Sequence, residues 1–145
     1  VQSEGFVPPA TAAAHEGRRL VLLAEDDADF RHLVASVLAA DGYEVVEAVD
    51  GLDLLAHVER ELGARGERAD AFLIVADVCM PGLTGLDVLA ILRCANWTTP
   101  VILITGFGDE ATRAEGRELG ASAVLDKPFA LDDFRATVAG TLPPR

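Results

Sequence analysis

Apolar residues along this chain fall into two rhythms. The first is short unbroken runs: Leu20-Val21-Leu22-Leu23-Ala24, Ala71-Phe72-Leu73-Ile74-Val75-Ala76, Pro100-Val101-Ile102-Leu103-Ile104 and Ala123-Val124-Leu125-Asp126. Their length and β-branched content predict buried strands at about 20–24, 71–76, 100–104 and 123–126, with a more polar one at about 44–48. The second rhythm is helical spacing. Phe30, Leu33, Val34, Val37 and Leu38 follow a candidate N-cap at Asp27 and stop at Asp41-Gly42. Leu54, Leu55, Val58 and Leu62 share one face after an Asp50-Gly51 turn. Leu86, Val88, Leu89 and Leu92 mark a third helix, and Leu131, Phe134 and Val138 mark a last one that Pro143-Pro144 ends. The segment 109–119 is the weakest helix: Ala111, Ala114 and Leu119 make a thin apolar face, and Gly116 costs about 1 kcal/mol against alanine.

Strands that are apolar throughout, alternating with helices, predict an α/β fold: a five-stranded parallel sheet with five helices on both faces and right-handed crossovers. Residues 1–17, with Pro8-Pro9 and no apolar period, read as a flexible tail or linker in which His15 is solvated. The domain is expected over 18–142, with 143–145 a C-terminal tail.

Composition narrows the classes. A chain of 145 residues, half of them hydrophobic, fits one domain with a real core. A net charge of −12 argues against a general nucleic-acid or anionic-membrane surface. No apolar run approaches the roughly 20 residues of a membrane helix, and no secretory signal is visible. Cys79 and Cys94 lack metal or redox spacing, which reads as free thiols in a reducing cytoplasm. The first residue is Val1, which reads as a processed chain or a piece of a longer one.

The chemistry sits where the runs end. Glu25-Asp26-Asp27, Asp77, Thr105 and Lys127-Pro128 each follow or close a strand, so a parallel sheet gathers them at one carboxyl edge, where such sheets bind ligands. Carboxylates facing a hydroxyl and an ammonium suggest a divalent metal and a phosphoryl group. Taken singly, each has a plainer reading: an acidic helix N-terminus, an Asx turn, a strand end, a solvated lysine. Their joint register is what favours a site, and Asp27 remains mainly a cap.

In order and spacing, Leu22-Leu23-Ala24-Glu25-Asp26-Asp27, Ala76-Asp77-Val78-Cys79-Met80-Pro81-Gly82, Ile104-Thr105-Gly106 and Asp126-Lys127-Pro128-Phe129 resemble the receiver domain of two-component response regulators over about residues 18–142. The resemblance implies a flavodoxin-like sheet of order 2-1-3-4-5. It implies Asp77 as phosphoacceptor. Mg²⁺ would be held by Glu25 (through a water), Asp26, Asp77 and the backbone carbonyl of Cys79. Thr105 and Lys127 would bind the phosphoryl group, and Pro128 would follow a cis bond. The implied partners are a sensor histidine kinase or phosphotransfer protein, and a downstream effector or fused output domain. A homodimer through the fourth helix, fifth strand and fifth helix is an option.

The chain also departs from that family. Val124 stands where an aromatic switch residue is usual, so the signal is expected to travel through the loop after strand four and the soft fourth helix. Thr84 replaces a frequent Asp before Gly85, with a loop effect expected. Gly82 and Gly85 are expected to meet turn requirements at positive φ. Phe107, two residues past Thr105, either shields the pocket from water or simply packs. Trp97 is expected to pack locally in preference to anchoring a partner.

Three function classes compete. The first is a phosphorylation switch that catalyses its own phosphorylation and dephosphorylation and is not a turnover enzyme. The second is a phosphorylation-independent interaction module on the same fold. The third is a Mg²⁺-dependent phosphatase of the haloacid dehalogenase type, which wants an acid two residues after the nucleophile and meets Cys79 there instead.

Overall fold

The computed structural model describes residues 17–65, 72–106 and 109–145. The expected tail up to residue 16, Ala71, residues 66–68 of the polar connection and Phe107 lie outside the described residues. Ten elements alternate: β1 (Leu20–Ala24), α1 (Ala28–Ala40), β2 (Glu44–Ala48), α2 (Gly51–Arg65), β3 (Phe72–Asp77), α3 (Gly85–Cys94), β4 (Val101–Thr105), α4 (Glu110–Glu118), β5 (Ala123–Asp126) and α5 (Leu131–Thr141). All four strand pairings are parallel, in the order β2-β1-β3-β4-β5. The expected fold class and strand order are therefore what the chain adopts.

Burial follows the sequence pattern. The unbroken apolar runs β1, β3 and β4 form the wholly buried centre, while β2 and β5, which carry Glu44, Glu47 and Asp126, take the half-exposed edges. Alternate side chains split into two cores. Leu22, Ile74 and Leu103 pack with Leu54 and Val58 of α2 and Leu89 of α3 on one face. Val21, Val75 and Ile102 pack with Val34 and Leu38 of α1 and Phe134 and Val138 of α5 on the other. Leu33 corrects the expected α1 stripe: it is 49% exposed, and Ala35 turns inward beside Val34 and Leu38. Trp97 is partly buried against the first core, as local packing requires.

The weak helix forms as α4, but its grip on the sheet differs from expectation. Ala111 and Ala114 face solvent, and the buried residue is Gly116. A Cβ at Gly116 would lie 2.9 Å from Leu103 Cδ1 and 3.2 Å from Val124 Cγ2, so the glycine lets the helix backbone come down onto the sheet. Polar ties compensate for the thin apolar face. Asp109 caps the N-terminus by accepting from the Thr112 N–H at 3.0 Å. At the other end Arg93 of α3 donates to the carbonyls of Leu119 at 3.0 Å and Gly120 at 3.1 Å, and also to Trp97 and Thr99.

The loop after β3 holds a second correction. Gly82 has φ 75°, as a turn glycine should, but Gly85 does not have a positive φ. Gly85 is instead a close-approach residue: a Cβ there would sit 2.8 Å from the Asp77 carbonyl oxygen. Thr84 has a capping role beside it. Its hydroxyl accepts from the Asp87 N–H at 3.1 Å and the Asp87 carboxylate accepts from the Thr84 N–H at 2.9 Å, a reciprocal capping box.

Two glycine substitutions should therefore have opposite signs in urea unfolding. Gly85→Ala should destabilise by about 1–3 kcal/mol through overpacking against backbone. Gly63→Ala, exposed in α2 with nothing within 4 Å of its new Cβ, should stabilise by about 0.5–1 kcal/mol. Equal shifts would contradict the close-approach account.

Candidate functional site

Parallel register decides which side chains meet. Ala24 lies beside Ala76, so the next residues, Glu25 and Asp77, leave adjacent central strands together. Asp77 pairs with Ile104, and Thr105 pairs with Asp126. Backbone bonds extend the edge by one step: the Glu25 N–H donates to the Ala48 carbonyl at 3.2 Å, and the Lys127 N–H donates to the Thr105 carbonyl at 2.8 Å. The Lys127–Pro128 bond is cis.

Lys127 closes the cluster. Its ammonium donates to Asp77 Oδ2 at 2.6 Å and to Glu25 Oε1 at 3.0 Å, and it lies 4.7 Å from the centre of the Phe30 ring. The remaining oxygens are partly held: Asp77 Oδ1 accepts from the Cys79 N–H at 2.7 Å, and Glu25 Oε2 accepts from the Asp27 N–H at 3.2 Å. Glu25 is 2% exposed and Asp77 3%, whereas Asp26 faces solvent. One ligand oxygen from each of the three carboxyls lies within 4.8 Å of the others.

Three carboxyls against one ammonium leave an excess of negative charge in a partly dry site. Burial, and then the hydrogen bond shared with the Asp77 carboxyl, push Glu25 up to about 7, against the opposing pull of Lys127. For Lys127, burial alone would lower the ammonium, but its bonds to Asp77 and Glu25 outweigh this and hold its pKa above the ordinary lysine value. The hard oxygen donors suit a small divalent cation of the Mg²⁺ kind.

Glu25, Asp26, Asp77 and Lys127 are thus brought into one cluster. Thr105 stands buried at the end of β4 on the same edge, its hydroxyl donating to the Gly106 carbonyl at 3.3 Å. The structure places the Cys79 N–H on Asp77, and its side chain is exposed. Val124 is one layer down, opposite Leu103 and against α4. Asp27 is the α1 cap, accepting from the N–H groups of Asp29 and Phe30.

The aromatic floor had no clear signal in the sequence. Phe30 and Phe129 meet edge to face with centroids 5.9 Å apart, and Phe129 stacks on Phe134 at 5.4 Å. Phe30 fitted a helical stripe and Phe129 followed a Lys-Pro pair, and neither pattern says that the two rings meet or that Phe30 lies under Lys127.

Comparison with known proteins shows the family and the fold. The family model described as the response regulator receiver domain matches residues 21–139. The alkaline phosphatase synthesis transcriptional regulatory protein SphR of Synechococcus elongatus is 35% identical over 132 residues, covering 89% of this chain and 49% of that protein. The chain thus spans about half the length of that relative. Sporulation initiation phosphotransferase F of Bacillus subtilis is 31% identical over 123 residues, covering 85% of this chain and 93% of that protein. Among solved structures, Vibrio cholerae chemotaxis protein CheY4 superposes with TM-score 0.71 at 30% identity, covering 86% of this chain and 98% of that one. The Francisella response regulator 1452 receiver domain gives TM-score 0.72 at 29% identity, covering 85% and 95%.

The raised Glu25 carboxyl has a definite sign. Between its ordinary value of 4.5 and its folded value of about 7, the folded state keeps a proton that the unfolded state has lost. This contribution to stability is full below the lower value and is lost as pH rises through the upper one. Metal-free protein should therefore become less stable to urea as pH rises from about 5 to about 7. Glu25→Gln should flatten that slope. An unchanged slope in the variant would place the titration elsewhere.

Proposed function

Since the chain belongs to the family of response regulator receiver domains, we propose that Asp77 is its phosphoacceptor in a two-component phosphorelay. The supporting observation is the Lys127 ammonium 2.6 Å from Asp77 Oδ2, inside a convergent set of three carboxyls. An Asp77 oxygen forms a bond to phosphorus while the donor's bond to phosphorus breaks and the leaving group takes its electron pair. Glu25, Asp26, Asp77 and the Cys79 carbonyl would hold a Mg²⁺, with Glu25 acting through a water. When bound, the ion neutralises charge between the carboxylates and the phosphoryl oxygens.

The chain's own groups do the rest by position. Lys127 moves from its carboxylate partners to the phosphoryl oxygens. The Thr105 hydroxyl turns from the Gly106 carbonyl to donate to the same group. Pro128, Phe30 and Phe129 give Lys127 a fixed seat. The donor is a histidine kinase or a phosphotransfer protein, so the domain works in the cytoplasm. The reader is an effector or a fused output domain, as the word "regulatory" in the relatives' names suggests. The domain catalyses its own phosphorylation and dephosphorylation and acts once per signal. A phosphatase of the haloacid dehalogenase type is disfavoured because Cys79 supplies no acid two residues beyond Asp77.

Val124 supplies no aromatic switch, so the response is proposed to pass through α4. Arg113 of α4 grips the Asp126 carboxylate with bonds of 2.9 and 2.8 Å, and Asp126 is the residue before Lys127. A change in Lys127's partners therefore pulls on a residue that α4 already holds.

Intact mass after incubation with acetyl phosphate and Mg²⁺ tests the proposal. The parent should gain one phosphoryl group, released by hydroxylamine, and Asp77→Asn should gain none. A label retained by Asp77→Asn would move the site. Lys127→Ala should keep Mg²⁺ affinity within a few-fold while slowing phosphorylation about 10²–10³-fold. An unchanged rate would remove Lys127 from the proposed role.

A further inference from the structure

Among the described residues Arg31 is the most buried cation outside the cluster, 8% exposed on a helix whose other buried residues are apolar. Its Nη1 donates to the Glu25 carbonyl at 2.8 Å, and its Nε donates to Glu47 Oε1 of β2 at 3.0 Å. Glu47 is itself fixed in register opposite Leu23 of β1. The guanidinium is a planar fork, so the two bonds set its position and its direction together.

The carbonyl it holds belongs to the peptide that joins Glu25 to Asp26. That unit is planar, so fixing its oxygen fixes the Asp26 nitrogen and the direction in which the chain leaves it. Other bonds support the same turn: Glu25 N–H to Ala48, Asp27 N–H to Glu25 Oε2, and Arg31 N–H to the Asp27 carbonyl at 2.9 Å. None of them touches the Asp26 carboxylate. Among the described residues that carboxylate has no hydrogen bond or ion pair, yet one of its oxygens converges with those of Glu25 and Asp77. Its aim therefore follows the backbone, and the side-chain bond that holds the Glu25–Asp26 peptide carbonyl comes from Arg31.

We propose that Arg31 is a positioning residue for the metal site: it orients the Glu25–Asp26 peptide so that Asp26 converges on its neighbours, and Glu47 holds Arg31 in that pose. This rests on the Mg²⁺ reading above. It opposes simple electrostatics in sign. A buried cation beside a metal site repels Mg²⁺, so by Coulomb's law alone its removal should tighten binding. Positioning requires that removal weaken it.

Calorimetric titration of the folded protein with MgCl₂ decides between them. Arg31→Met keeps the stem and loses the guanidinium, and it should weaken Mg²⁺ binding by about 10–100-fold, as loss of a ligand-orienting group does. Glu47→Gln, which leaves the Glu25 bond in place, should stay within about threefold. Tyr43→Phe, which removes the distant bond from the Tyr43 hydroxyl to the Leu142 carbonyl, should destabilise without changing Mg²⁺ affinity. If Arg31→Met does not fold, Arg31→Lys replaces it; lysine lacks the planar fork whose separate Nε and Nη1 donors fix position and direction together, and a several-fold loss is expected. Parent-like or tighter binding in the Arg31 variant overturns the proposal and leaves Arg31 a stability residue. If the parent itself binds no Mg²⁺, the metal reading falls and takes this inference with it.

Discussion

The rest of the structure depends on one electrostatic constraint: two nearly buried carboxyls and a third exposed one meet at the end of a parallel sheet with a single ammonium between them. Such a cluster is unfavourable by itself. Burial penalises the charged form of Glu25, and its hydrogen bond with the Asp77 carboxyl adds to this, which is why Glu25 holds its proton to near neutrality. Lys127 relieves part of the strain by bonding to both buried carboxyls at once. The excess of negative charge that remains is what a bound cation would offset, and on the reading proposed above that must happen before a dianionic phosphoryl group can approach.

The scaffold makes the cluster possible by rigidity. Central strands buried on both faces cannot slip register without turning every side chain over, so the ends of β1, β3 and β4 are fixed relative to one another. The elements around the edge are held less uniformly. α1 and α3 have proper caps and broad apolar stripes. α4 has a glycine for a packing surface and hangs on polar ties at both ends and on Arg113 to Asp126. Local stability follows apolar contact. The helix with the fewest buried residues is thus also the one bonded to the residue beside Lys127.

Much of this was legible in the sequence because the strongest signals were local. Unbroken apolar runs gave the central strands, and polar residues at their ends gave the edge cluster. Parallel pairing, in the strand order that the family resemblance implied, then put Glu25 and Asp77 on adjacent strands. What escaped depended on contacts across the chain. Gly116 looked like a helix defect and is a packing surface; Gly85 looked like a turn residue and is a close approach to the Asp77 carbonyl. Phe30 and Phe129 lie about 100 residues apart in sequence, and nothing local says that they meet beneath Lys127. Arg31 gave no signal beside the apolar stripe of its helix, since a buried arginine can be told from an exposed one only by its partners.

The most direct test of the central claim is a fluoroberyllate titration followed by ¹⁹F NMR, because this anion mimics a phosphoryl group on a carboxylate without covalent chemistry. The account predicts a bound resonance at one equivalent that appears only when Mg²⁺ is present and is missing from Asp77→Asn. A bound resonance without Mg²⁺, one that survives in Asp77→Asn, or none under any condition would contradict it.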